Sequence, residues 1–183
     1  MSQQTTTTLK EAGSVEASEA LRLEQEKVEQ IVDALNTDLA DVYVAYHQLR
    51  KHHWNVEGAE FRDLHLFLGE AAEELEEAAD ALAERVQALG GVPHASMGTL
   101  ESTATVEPED EDVYDIRTSL ENDMEMYGEI IETARDHIEL TEGLGDHASA
   151  QMLREQLIEL EDQAHHIEHY LEDDTLVTEA AMQ

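Results

Sequence analysis

Four stretches of this 183-residue chain carry apolar side chains at alternating steps of four and three, the spacing of one helix face buried in a bundle. Val28, Val32, Leu35, Leu39, Val42, Tyr46 and Leu49 mark helix A, predicted over about residues 21–56, and the next step along its face lands on His53. Phe61, Leu64, Leu68, Ala71, Leu75, Ala79, Leu82, Val86 and Leu89 mark helix B, which stops at Gly90 and Gly91, as a glycine C-cap predicts. Ile116, Leu120, Met124, Tyr127, Ile131, Ala134 and Ile138 mark helix C. Ala150, Leu153, Leu157, Leu160, Ala164, Ile167 and Leu171 mark helix D, which starts near Asp146. Two prolines and 4% aromatics leave little to interrupt helices or to favour a sheet. The A–B and C–D connections are short, so those pairs are antiparallel neighbours. Residues 90–112, GGVPHASMGTLESTATVEPEDED, are too many for a hairpin turn and can run the length of the bundle. The pattern predicts an all-α four-helix bundle over residues 21–172, with a long B-to-C crossover carrying a short helix around TLESTA. Residues 1–20 and 173–183 read as flexible tails.

Charge narrows the function classes. Acidic residues number 44 against 10 basic, a net −34 with only three lysines. Such a chain repels itself in dilute salt, whereas a Debye length of about 3 Å at 1 M salt screens most of the repulsion, so a salt-rich cytoplasm is the expected setting. The acids are spread through the apolar-periodic segments and do not form a disordered block. Binding a phosphate backbone needs clustered Lys and Arg, and no cluster exists, which argues against direct DNA contact. No run of 18 apolar residues occurs and the N-terminus lacks the blocks of a secretory signal, so neither a membrane span nor export is expected. Zero cysteines exclude disulfides and thiolate ligands, leaving His, Asp and Glu to hold iron, manganese or zinc.

The segment KHHWNVEGAEFRDLH, residues 51–65, gathers three histidines and the one tryptophan around a glycine turn. On a helix of about 100° and 1.5 Å per residue, His65, Glu76, Asp80 and Glu84 share one polar ridge of helix B, and Asp80 and Glu84 are one turn apart, a grip for one hard cation. His65 lies about 22 Å along the axis from Asp80, so one helix cannot close a site from both ends. Two antiparallel copies of helix B, related by a two-fold axis near residue 73, bring His65 of one subunit to Asp80 and Glu84 of the other and make two equal sites. His53, across the NVEG turn, joins His65 from the same subunit. Each element also has a plain reading: a His and a Trp at a helix end pack and cap, acid pairs on a helix face solvent, His52 is an exposed neighbour, and His47 sits on the helix surface.

KHHWNVEGAEFRDLH followed by DALAERVQALGG resembles the Dps family of mini-ferritins, whose pattern is HWN, a glycine turn, F and LH, then D, three residues, ER and LGG. The resemblance spans about residues 25–172 and is strongest to the acidic halophilic archaeal branch. It implies a ferritin-like bundle assembled as a hollow homododecamer. Such a shell acts as a ferroxidase, oxidising Fe(II), usually with hydrogen peroxide, and stores the ferric mineral, which limits Fenton damage. His53 and His65 match the ferroxidase histidines, Asp80 and Glu84 the carboxylates of the two-fold partner, and Trp54 an aromatic beside the site. One departure is Gly69, where the pattern has Asp; Glu73, one turn on, is a candidate substitute. Another is the N-terminus, where DNA-binding members carry several lysines and this chain has Lys10 alone.

Glu73, Glu76 and Glu77 are candidates for mineral nucleation. The family's uptake pore, near the start of helix D, corresponds to Glu142, Asp146, His147 and Glu155, with His147 and Gln151 standing where members often carry Asp. Asp146 is equally a helix cap. Asp162, His165, His166 and His169 form a candidate accessory metal face, with solvation as the plain alternative. A site within one bundle needs Glu-x-x-His motifs on its helices, and helix B has none. The rivals to a ferroxidase are a nucleoid-associated or structural shell with a vestigial iron site, and an acidic bundle with a surface zinc site.

Overall fold

The structure, a computed structural model, describes residues 7–172. It contains α1 (Gln25–Asn55), α2 (Phe61–Leu89), α3 (Met97–Thr103), α4 (Ile116–Leu144) and α5 (His147–Leu171), with no strand among the described residues. This is the expected four-helix bundle, and α3 is the expected short helix of the crossover, lying slightly ahead of TLESTA. Residues 1–6 and 173–183, expected as tail ends, lie outside the described residues.

Local chemistry sets the helix ends. α2 and α4 stop at Gly90 (φ 105°) and Gly145 (φ 91°), left-handed residues whose amides close onto Gln87 and Glu142 carbonyls. Ser96, Asp115 and Asp146 cap α3, α4 and α5 by accepting from the amides three residues on. The apolar stripes converge on one core: Leu35, Leu39, Leu49, Leu68, Leu82, Leu89, Leu153 and Ile167 are fully buried. Phe61 departs, at 48% exposed, as the first residue of α2.

α1 carries a second, polar stripe that receives the crossover. Asn36 accepts from the His94 amide at 2.9 Å, Asp41 from the Thr105 amide at 2.6 Å, and Gln48 from the Glu109 amide at 2.8 Å. Leu100 and Val106 are buried between these ties and together contribute on the order of 3–5 kcal/mol. On the α4 side, His137 Nδ1 lies 2.7 Å from Asp38 Oδ1. The crossover is therefore pinned along the length of α1, which fixes α4 and α5 against α1 and α2.

Residues 10–18, read from the sequence as part of a free tail, are tied to the end of α2. Glu16 and Ser18 amides donate to the Gly90 and Leu89 carbonyls at 3.0 and 3.2 Å, and Lys10 Nζ donates to Gly90 at 3.0 Å. The C-terminal carbonyls of a helix lack internal partners, and this strand of chain supplies them.

Candidate metal centre

α1 ends and α2 begins across a turn opened by Gly58 (φ 107°) and plugged by buried Val56. This brings His53 and His65 face to face, with ring centroids 3.8 Å apart and planes 18° from parallel. The pairing is reciprocal: His53 Nδ1 donates to the His65 carbonyl at 2.7 Å and His65 Nδ1 to the His53 carbonyl at 2.9 Å. A carbonyl only accepts, so each Nδ1 carries a proton, and Nε2 is the ring atom whose lone pair a metal would take. Neither Nε2 has a hydrogen-bond partner among the described residues. Backbone carbonyls behind the ligating imidazoles are the usual device for fixing tautomer and ring orientation at a metal.

Gly69 belongs to this arrangement. A Cβ there would stand 3.0 Å from His53 Cε1 and 3.1 Å from Nδ1, so the imidazole lies directly on the glycine backbone. Phe61 stacks on the outer face of His65 at 5.1 Å; the sequence reading gave the neighbouring-aromatic role to Trp54, which is 70% exposed and makes no ring contact with the pair among the described residues.

Asp80 and Glu84 are exposed on the distal half of α2 and form no ion pair among the described residues. No group of three or more His, Asp or Glu is poised for a metal within one chain, among the described residues. The histidine half and the carboxylate half are separate in a single copy. Glu73, one helix turn beyond Gly69, lies 3.8 Å from the Arg50 guanidinium, which in turn covers the Tyr46 ring. Glu76 and Glu77 are exposed.

His52 corrects the sequence reading. It is 3% exposed, not a surface neighbour: its Nδ1 lies 2.8 Å from Asp123 Oδ2, and its Nε2 meets Glu109. Burial alone would lower its pKa, but Asp123 and then Glu109 outweigh that and raise it. Glu109, for which burial would raise the pKa, is held below the ordinary glutamate range by Lys51, His52 and Asn122. The missed signal was a polar repeat on α1: Asp41, Gln48 and His52 fall at helical spacing beside the apolar stripe. His47 is exposed, as expected.

At the start of α5, Asp146 is 2% exposed; it accepts from the Ser149 amide at 3.1 Å and pairs with Arg85 at 2.6 Å. With the Ser149 hydroxyl donating to its other oxygen, these commitments engage both carboxylate oxygens and give it the capping role. Glu142 pairs with Arg154, Glu155 accepts from Gln151 at 3.0 Å, and His147 is exposed. In the C-terminal cluster, His165 and His169 bring their Nε2 atoms within 3.1 Å, while His166 Nδ1 turns back to the Asp162 carbonyl at 2.9 Å. All four side chains are solvent-exposed.

A four-helix bundle with one long helical crossover, and with imidazoles and carboxylates at opposite ends of its second helix, defines a protein of the ferritin-like class. The ferritin-like domain model matches residues 32–177. A DNA protection during starvation protein from Halobacterium salinarum is 74% identical over 172 residues, 94% of each chain. A nutrient stress-induced DNA-binding protein from Nostoc is 36% identical, covering 80% of this chain and 79% of its own. The crystal structure of an archaeal Dps homologue from Halobacterium salinarum superposes with TM-score 0.92 at 73% identity, covering 96% of this chain and 98% of that one. The chain belongs to the Dps family of ferritin-like proteins. No helix among the described residues is long and apolar enough to cross a membrane.

Proposed function

We propose that this chain is an iron-storing ferroxidase. It assembles as a homododecamer in which His53 and His65 of one subunit and Asp80 and Glu84 of its two-fold partner close around Fe(II). The observation that carries this reading is the reciprocal His53/His65 pair, in which carbonyls hold both Nδ1 protons and leave both Nε2 atoms without a hydrogen-bond partner among the described residues. Imidazole with carboxylate suits Fe(II), and the anionic oxygens favour Fe(III) once it forms. Two Fe(II) each give one electron to hydrogen peroxide, whose O–O bond breaks; with two protons, its oxygens leave as two waters. Exposed Glu76 and Glu77 then offer carboxylates to the ferric product. Removing iron and peroxide together protects DNA without touching it, which fits the Halobacterium relative's name and a net charge of −34, whereas the Nostoc relative is named for binding DNA.

The test is the double variant Asp80→Ala/Glu84→Ala, followed by stopped-flow Fe(II) oxidation with peroxide and by light scattering. Rapid oxidation is expected to disappear while the assembly size is unchanged; retained fast oxidation would move the site elsewhere. The rival, a DNA-coating shell, requires retarded DNA in a gel shift at working salt together with no Fe(II) oxidation by the unaltered protein.

A further inference from the structure

We infer that the groove between α2 and α5 binds one hard, partly hydrated divalent cation, at a site separate from the His53/His65 centre. The groove encloses about 450 Å³ because α2 and α5 pack against each other less closely than either packs against its hairpin partner. Glu74, Glu77, Glu155 and Glu159 line its mouth, and no Lys or Arg lines it. Acids alone would be an ordinary solvated face. The inner wall is different.

Tyr127 is 0% exposed and Gln163 is 8% exposed. Both line the groove, and Tyr127 Oη and Gln163 Oε1 lack a hydrogen-bond partner among the described residues. A buried polar atom left unpaired costs about 1–3 kcal/mol, so two of them lining one acidic groove point to a ligand that serves both. Gln163 donates its amide to Glu74 Oε2, which leaves its carbonyl oxygen as a ligand beside the Glu74 carboxylate. Burial, then Asp123 and Glu74, raise the Tyr127 hydroxyl far above its usual range, so it stays protonated. It acts as a donor to a water that the cation retains. Burial also raises the Glu74 carboxyl; the Gln163 hydrogen bond opposes this, and Glu159, Asp162 and Glu70 add to it. A dication relieves that repulsion.

All of these donors are oxygens, with no imidazole, so the site favours Mg2+, Ca2+ or Mn2+, whereas the histidine pair favours Fe(II). The inference does not depend on the ferroxidase reading.

Mn2+ is the probe. Crystals of the iron-free assembly soaked in Mn2+ are expected to show an anomalous peak bonded to Glu74 and Gln163, with a water reaching Tyr127. The same peak persists in Asp80→Ala/Glu84→Ala. Glu74→Gln, a conservative change at the groove rim, is expected to abolish it and to weaken the matching class of Mn2+ in an EPR titration at least about tenfold; Tyr127→Phe weakens it less. An ordered water alone between Tyr127 and Gln163, or a manganese peak indifferent to Glu74→Gln, overturns the inference.

Discussion

Asp38→Asn isolates the ion pair that fastens α4 to α1. Asp38 is 6% exposed and its Oδ1 lies 2.7 Å from His137 Nδ1. Burial would lower the His137 pKa, but the hydrogen bond and charge of Asp38, aided by Asp41, raise it. Burial raises Asp38 itself, against the pull of His137. A raised imidazole contributes stability that is fully present below its unfolded pKa of about 6.5 and is lost as pH climbs through the folded value. The raised carboxyl acts in the same direction, since the folded state holds its proton more tightly than the unfolded chain does. Asn keeps the shape and removes the charge. A hydrogen bond between charged groups is worth about 1.5–3 kcal/mol, and for a chain of this size each kcal/mol moves Tm by about 2–4 °C. The variant is therefore expected to melt about 3–12 °C below the unaltered protein at pH 6. As pH rises through the raised His137 value the imidazole loses its proton and the buried anion becomes a cost, so the gap at pH 9 is expected to be smaller than at pH 6. Thermal unfolding of the assembly answers this at one salt and one subunit concentration, which must be fixed because association shifts Tm. An equal gap at pH 6 and pH 9, or a higher Tm for Asp38→Asn at pH 6, refutes the reasoning.

Gly69→Ala sets a gain of about 1 kcal/mol in helix propensity against about 1–3 kcal/mol of overpacking, because its Cβ would meet the His53 ring at 3.0 Å. Since that ring is held by its hydrogen bond and stack, stability is expected to change by less than about 2 kcal/mol while stopped-flow Fe(II) oxidation slows; an unchanged rate would show that the imidazole position is not critical. Gly90→Ala places a Cβ 1.8 Å from the Glu16 carbonyl at a φ of 105°, costing about 1–2 kcal/mol in backbone strain alone. It should release residues 10–18, seen as faster limited proteolysis near Glu16 with the bundle core intact; unchanged cleavage would mean that the docking survives without the glycine.

The sequence by itself determined the helices and the two halves of the candidate centre. Steps of four and three, glycine stops and a capping aspartate act within a few residues of the chain, so Val28 to Leu49, Gly90 and the cap at Asp146 could be read without knowing what surrounds them. The same rule places His53 at the end of the α1 stripe and Asp80 with Glu84 on one face of α2, since spacing along a helix fixes which side chains share a face. Only the tertiary structure decided what each face meets. His52 differs from His53 by one position, yet 100° of rotation carries it beneath Glu109 of the crossover and beside Asp123 of α4. Gly69 reads as a missing ligand until the His53 ring is found lying on it. Asp146 is withdrawn by Arg85, which is 61 residues away in the chain, and the Tyr127 hydroxyl lines an acidic groove because α2 and α5 stand apart. Periodicity is a property of one helix, whereas burial and pairing depend on which other segment is brought against it, and that is set by the packing of the whole bundle.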